Sequence, residues 1–471
     1  VSGELAYLGA VEALERFRSL DLSPVELLDA LIARAEETEP HIAAFTDTYF
    51  DQAREQAKQA ADAYANDTAR PLEGITVAVK DETAVEGQRL PMGSLLLEDN
   101  IADHNDPLVQ RVLDSGGIIH ARTAAPEFSM APVTWTMLNG IARNPWNTEI
   151  TPGGSSGGAG ASLAAGTTTL ANGSDIGGSI RIPSALNGVT GFKPPWGRVP
   201  ELWPWNREPY ASGGAMARSV ADVVLMMNVI SGPLPFDMFS LPPLELPGSF
   251  PSAAGMRIAV SRDLGYFNPE GEIIEALEGA VEVLRGLGAV VDHVDLGWDI
   301  RAFGTAMTHL RYQSGSILES EIPEEARGHL TPYIQELLGM QRPSTVEWME
   351  SWQYGDEMHR LLQEKVFLAG YDALICPTLE TTAVPADWGH PDGSNPTDLN
   401  AMLAVALTYP FNILGKYPVA NVPIGIAGST GVPIGMQIVG PREEDAVALR
   451  VAAALEESEG RLFDRMRPEI P

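Results

Sequence analysis

The stretch MRIAVSRDLGYFNPEGEIIEALEGAVEVLRGLGAVVDHVDL, residues 256–296, decides the fold class. MRIAVSRD (256–263) reads as a short apolar strand. EIIEALEGAVEVLRGLG (272–288) carries apolar residues at helical spacing, and AVVDHVDL (289–296) returns to strand character. Strand, helix and strand in that order form the unit of a sheet with helical crossovers. The same alternation recurs to both sides. GITVAVK (74–80) and IIHA (118–121) read as strands around a helix at 107–117 that ends on glycines. ASLAAG (161–166) and TTTLAN (167–172) suit a tight helix followed by a strand, and ARSVADVVLMMNVIS (217–231) is a strong helical pattern. Downstream, DALICPTL (372–379), VANVPIG (419–425) and GMQIVGP (435–441) read as strands and DAVALRVAAALEE (445–457) as a helix.

Residues 1–68 read as helical, and SPVE at 23–26 is a capping box that launches VELLDALIARAEE. Residues 300–369 also read as helical, and the Pro- and Gly-rich pieces at 194–214 and 232–255 as long loops. The expected architecture is α/β: one large mixed β-sheet covered by helices on both faces, with a helical N-terminal layer. The chain is expected to form a single domain over 1–471, divided into that layer (1–68), a core (69–231) and the remaining sheet with its helical covering (232–471).

Composition narrows the function. At 44% hydrophobic, the 471 residues can bury a large core, and no run of eighteen apolar residues predicts a membrane span. The opening VSGELAYLGAVEALERF has neither the basic start nor the apolar core of a signal peptide, which favours the cytoplasm. A net charge of −32 argues against direct contact with nucleic-acid phosphates. The single cysteine, Cys376, sits in an apolar run and excludes an internal disulfide or a cysteine metal cluster. The histidines are scattered, and no Walker, G-x-G-x-x-G or H-E-x-x-H pattern is present, so neither metal nor cofactor is expected.

Lysine is scarce, with only Lys58, Lys80, Lys193, Lys365 and Lys416. Lys80 ends the apolar run ITVAVK and is followed by Asp81 and Glu82. It could act as a base only if its pKa fell from about 10.4 towards 7–8, a cost of roughly 4 kcal/mol that burial must supply. The alternative is a strand-end lysine paired with Asp81.

Two glycine-rich clusters follow. GGSSGG (153–158) satisfies G-x-S-x-G for both Ser155 and Ser156. A nucleophile elbow needs a strand running into the turn, and NPWNTEITP, with Pro145 and Pro152, is not one. In NGSDIGGSIRIPS (172–184), Ser179 precedes an expected helix start at Ile180, Arg181 and Ile182. Backbone N–H groups of Ile176, Gly177, Gly178 and Ser179 could then converge on one point, as an oxyanion hole requires. A glycine turn packed against another backbone is the competing explanation.

Taken together, a lysine after GITVAV, GGSSGG, and DIGGSIR with Ser179 24 residues beyond Ser155 resemble the amidase signature family of serine hydrolases. ARNPWN (142–147), GFKPPWGRVP (191–200), MARSVAD (216–222), CPTL (376–379), YPFNILG (409–415) and PIGMQIVG (433–440) also resemble its blocks, so the likeness spans most of the chain. The resemblance implies Ser179 as nucleophile, Ser155 as a bridging serine with a cis peptide to Gly154, and Lys80 as base. It implies supporting roles for Asp175 and Arg181, and Ser156 is expected to hold the turn. Two departures stand out: Ser174 where relatives carry threonine, and Arg122 and Ala124 in HARTAAPEF (120–128) where many carry lysine and asparagine, which alters one wall near the site.

The family spans aliphatic amidases, aryl acylamidases, fatty-acid amide hydrolases, nylon-oligomer hydrolases, urethanases and the glutaminase-type subunit of the tRNA-dependent amidotransferase. EFSMAPVTWTM (127–137) offers Phe128, Met130, Trp135 and Met137 as pocket residues, and VPELWPWNREPY (199–210) offers Trp203, Trp205 and Tyr210. The expected substrate is therefore a hydrophobic amide, carbamate or ester, in a layout closest to bacterial urethanases and aryl acylamidases. The rivals are a small aliphatic amidase, a non-catalytic glycine-loop binding protein and a glutaminase-type subunit. No nucleic-acid or membrane partner is expected, and the chain is read as a monomer or homodimer.

Overall fold

A computed structural model of the chain describes residues 2–393 and 395–470. Its strands are β1 (Phe45–Thr48), β2 (Thr76–Lys80), β3 (Ile118–Thr123), β4 (Trp135–Thr136), β5 (Gly140–Ile141), β6 (Leu170–Asp175), β7 (Thr190–Lys193), β8 (Ser212–Ala217), β9 (Arg257–Val260), β10 (Val290–His293), β11 (Ala373–Pro377), β12 (Val419–Ile426) and β13 (Pro433–Val439). β4 and β5 form a small hairpin of their own. The other eleven make one sheet in the order β1-β3-β2-β6-β8-β7-β12-β13-β11-β9-β10. It is mixed: β3-β2-β6 and β11-β9-β10 are parallel wings, and the pairs between them and at the β1 edge are antiparallel.

The 256–296 segment folds as expected. β9 and β10 pair in parallel, joined by the helix Gly271–Gly286, whose buried Ile273, Leu277, Ala280, Val281 and Leu284 follow a helical stripe. The two-residue alternation of the strands feeds two separate cores. Ile258, Val260 and Ile375 point into a core shared with the helices Ala10–Arg18, Val220–Ile230 and Asp445–Glu459. Ala259, Leu374 and Cys376 point into another, with Trp298, Met358 and Tyr417. Helices thus cover both faces, and every residue of β2 is buried, as a central parallel strand requires. In the N-terminal layer Ser23 caps the helix Pro24–Ile42: its hydroxyl accepts from Val25 N–H and Glu26 accepts from Ser23 N–H at 2.8 Å.

Three expectations shift. β8 lies where a loop and a helix start were anticipated, and the helix begins only at Val220. SGGAMA has no apolar alternation to announce a strand, and its ladder with β6 along all six residues is what holds it extended. β1 interrupts the helical layer as an edge strand on β3. β6 starts at Leu170 rather than Thr167, which carries Ser174 and Asp175 to its end. Because β2 and β6 are parallel neighbours, Lys80 and Asp175 finish on the same rim of the sheet. Carboxyl ends of parallel strands are where open α/β sheets bind ligands. No helix among the described residues is long and apolar enough to cross a membrane.

Candidate active site

Lys80 is fully buried at the end of β2. Its Nζ lies 2.7 Å from Ser155 Oγ, 2.8 Å from Ser174 Oγ and 3.0 Å from Glu82 Oε1. The Ser174 hydroxyl also donates to Glu82. The lysine therefore pairs with Glu82 rather than with Asp81, whose Oδ2 instead accepts from Gly93 N–H. Burial lowers the Lys80 pKa from its ordinary value; the Glu82 carboxylate opposes this without cancelling it. Arg122, also buried, donates to the carbonyls of Lys80, Asp81 and Thr83. It braces the turn behind the lysine and lines neither cavity described below, so the wall anticipated from this departure is a backbone clamp.

The peptide between Gly154 and Ser155 is cis. The glycines around the two serines answer to close packing. A Cβ at Gly154 would stand 2.6 Å from the Ala131 carbonyl oxygen, and one at Gly158 would collide with Ala124 N and the Ala44 carbonyl oxygen. The helix Gly157–Ala165 can therefore seat directly beneath β3. Ser156 Oγ reaches only to 3.5 Å from the Ser174 carbonyl, while its N–H donates to the Ser179 carbonyl at 3.2 Å. It is the backbone of Ser156, more than its hydroxyl, that ties the two clusters together.

Ser179, 7% exposed, sits just before the helix Arg181–Asn187. The Asp175 carboxylate caps this region, accepting from the N–H groups of Gly178 at 2.8 Å and Ile180 at 3.1 Å. This corrects the four-donor reading. Gly178 N–H is committed to Asp175, while those of Ile176, Gly177 and Ser179 have no hydrogen-bond partner among the described residues. These three residues line a cavity of about 60 Å³. Arg181 holds Asp175 through Nε at 2.9 Å and Nη2 at 2.8 Å, both partners being fully buried. Burial would raise the Asp175 carboxyl, but Arg181 more than offsets it and holds the pKa below its ordinary value. Arg181 also reaches Thr408 O, Gln437 Oε1 and Asn412 Oδ1, which locks the cluster to distant parts of the chain.

Gly178 has φ +129°, and a Cβ there would collide with Thr408 Oγ1, the group that donates to Gly177 O at 2.5 Å. Gly178→Ala is expected to tilt the neighbouring N–H donors and lower kcat/KM about 10²-fold, in line with losing one oxyanion donor. Steady-state kinetics beside a circular-dichroism melt would separate this from unfolding.

Among the expected pocket residues, Met130 lines the small cavity together with Ser179 and Tyr210. Met130, Phe128, Trp203 and Trp205 line a second cavity of about 270 Å³, to which Ser155 and Ser174 also contribute. Trp135 does not belong with them. It is fully buried edge-on to Tyr333, with Nε1 donating to Trp388 O, and so serves a core. Met137 is exposed and lines neither cavity. Sequence reading also missed much of the small cavity's apolar wall: Phe303, Met307, Leu310, Leu403 and Tyr409 arrive from segments more than 120 residues beyond Ser179. Nothing local marks those positions.

The amidase family pattern covers residues 26–449. The chain belongs to the amidase signature family. It is 32% identical over 461 residues to an acylamidase of Rhodococcus erythropolis, covering 96% of this chain and 95% of that one. It is 31% identical over 491 residues to one subunit of the glutamyl-tRNA(Gln) amidotransferase of Synechococcus sp. (strain CC9605), covering 94% and 95%. The fold superposes with a TM-score of 0.87 on a solved bacterial aryl acylamidase of the amidase signature family, at 26% identity and 96% coverage of both chains. This amidase signature enzyme is an amidohydrolase.

Proposed function

We propose that this amidohydrolase cleaves hydrophobic amides, aryl amides and carbamates foremost, through an acyl-enzyme on Ser179. In the proposed cycle Ser179 Oγ attacks the carbonyl carbon while its proton passes to Ser155 Oγ, whose own proton passes to neutral Lys80 Nζ. The oxyanion sits against the N–H groups of Ile176, Gly177 and Ser179. As the C–N bond breaks, Lys80 returns a proton through Ser155 to the leaving nitrogen. Water then enters, activated along the same path, and releases the acid. The 2.7 Å Lys80–Ser155 contact supplies one link of this chain; Ser155 and Ser179 share no side-chain hydrogen bond among the described residues, and the link between them forms when substrate seats Ser179.

The observation that carries the substrate class is the wall beside Ser179. Met130, Ile182, Phe303, Met307, Leu310, Leu403 and Tyr409 surround it, and no lysine or arginine lines either cavity. An apolar enclosure with a few polar groups suits a hydrophobic acyl group. A free α-carboxylate would find no lysine or arginine there, and the one histidine of the small cavity, His309, is already held by Glu208 at 2.6 Å, which weighs against the glutaminase reading that the amidotransferase relatives raise. A panel of acyl anilides, aryl carbamates, acetamide and glutamine tests this. The expected result is kcat/KM at least about a hundredfold higher for the anilides and carbamates than for acetamide or glutamine. A preference for glutamine or acetamide would overturn it.

A further inference from the structure

We propose that the hydroxyl of Tyr210 determines specificity in the small cavity, selecting acyl groups that carry a neutral oxygen over plain hydrocarbon ones. This rests on the reading above, in which the acyl group enters the cavity beside Ser179. Tyr210 lines that cavity together with Ser179 and is 8% exposed. Among the described residues its hydrogen bonds are all made by its backbone. Its N–H donates to Glu208 Oε1 at 3.1 Å, and its carbonyl accepts from Asn412 Nδ2 at 3.0 Å. Its Oη has no partner among them. Burial, with the nearby Glu208 carboxylate, pushes the pKa of this phenol above its ordinary value, so the hydroxyl keeps its proton and can donate it.

The ring is clamped in place. It stacks on His309, with ring centroids 3.6 Å apart and planes within 9° of parallel. His309 Nε2 in turn lies 2.6 Å from Glu208 Oε1, the same oxygen that accepts from Tyr210 N–H. Asn412 Nδ2, which donates to the Tyr210 carbonyl, also donates to Asp175 Oδ1 at 2.8 Å. Asp175 is the carboxylate that caps the loop of Ser179. The phenol is thus held in register with the nucleophile. Tyr409, the other tyrosine of the small cavity, shows the contrast: its hydroxyl accepts from Tyr266 Oη at 2.9 Å.

Buried hydroxyls are rarely left unmatched. Met130, Ile182, Phe303, Met307, Leu310 and Leu403 of the same wall have no side-chain oxygen or nitrogen to offer. A hydrocarbon acyl group would exclude water from the cavity and strand the Tyr210 hydroxyl. An ether, alcohol or ketone oxygen on the acyl chain would accept its proton instead. A site whose own polar group is left unpaired by the wrong substrate discriminates against that substrate. With no lysine or arginine in the wall, a charged carboxylate is not matched there. The substrate class is an amide of a short, mainly apolar acid whose chain carries one neutral oxygen.

The test compares the 4-nitroanilides of pentanoic, ethoxyacetic and 3-methoxypropanoic acids, chains of equal length in which the third or the fourth carbon is kept or replaced by oxygen. Each ether's kcat/KM is divided by that of the pentanoyl compound, in the unaltered enzyme and in Tyr210→Phe. Comparing the two quotients removes the intrinsic reactivity of each anilide, and phenylalanine keeps the ring on His309 and both backbone bonds. The expected result is a quotient at least about fivefold lower in Tyr210→Phe for one of the two ethers, the size of one neutral hydrogen bond. A smaller change for both ethers overturns the proposal and leaves the hydrolase reading in place. If no anilide is cleaved, the functional reading has failed and calorimetry decides the subsite separately. Relative to the pentanoyl compound, Ser179→Ala should then bind one of the ethers at least about fivefold more tightly than Ser179→Ala/Tyr210→Phe does. A smaller difference, or no binding, overturns it.

Discussion

Ser179→Ala is expected to lower turnover of every substrate by roughly 10⁴-fold or more, the cost of deleting a nucleophile that acts as part of a relay. The reason is local. Ser179 lines the small cavity, with its own N–H and those of Ile176 and Gly177 uncommitted, so removing Oγ leaves the donors in place but nothing to form the acyl-enzyme. Binding should persist, and KM should change far less than kcat. A fluorophosphonate should label one peptide, containing Ser179, in the unaltered enzyme and none in the variant. Label on Ser155 or Ser156, or a residual rate within tenfold of the parent, would remove Ser179 from this role. Ser155→Ala should keep the nucleophile and its label site while slowing the labelling reaction, because only the proton path is cut.

Lys80→Met should cost about 10³-fold in kcat/KM, within the range for loss of a positioned general base. The accompanying change in pH profile is more diagnostic than the size of the loss. A base works only when unprotonated, so activity of the parent should fall as pH drops through the Lys80 ionisation. Burial has moved that ionisation below the ordinary lysine value, which brings this limb towards the neutral range. Lys80→Met should lack the limb. Lys80→Arg should be equally inactive, since a guanidinium keeps its proton. Glu82→Gln should shift the limb to lower pH: a carboxylate 3.0 Å away favours the charged amine, and removing it makes the proton easier to lose. A profile unchanged in Lys80→Met would assign the ionisation elsewhere.

Much of this was legible along the chain because it depends on neighbours in sequence. The 256–296 unit declared its strands and helix by period, and the capping box at Ser23 by spacing. Lys80, Ser155 and Ser179 were marked by what surrounds them: a lysine closing an apolar run, and serines set in glycine. The misses follow the same logic. β8 is strand because β6 and β7 flank it, not because SGGAMA prefers to be extended. Trp135 looked like a pocket residue from composition, yet Tyr333, nearly two hundred residues away, claims its ring for a core. Gly178 looked like an oxyanion donor until the Asp175 carboxylate took its N–H.

The sequence was sufficient, then, for the fold class and for the candidate groups of the reaction, since secondary-structure period and local residue chemistry are written over a few turns of chain. Which groups touch was settled only by tertiary structure. The ends of two parallel strands bring Lys80 within 2.8 Å of Ser174, with Glu82 beside them, and the turn ahead of the helix Gly157–Ala165 places Ser155 2.7 Å from the same amine. Helices from beyond residue 300 close one cavity in apolar side chains, while the 199–213 segment brings Trp203 and Trp205 to the other. Burial, the spacing of charges and the choice of hydrogen-bond partner are properties of segments distant in sequence and adjacent in space, and these properties decide how a lysine titrates and what each cavity can hold.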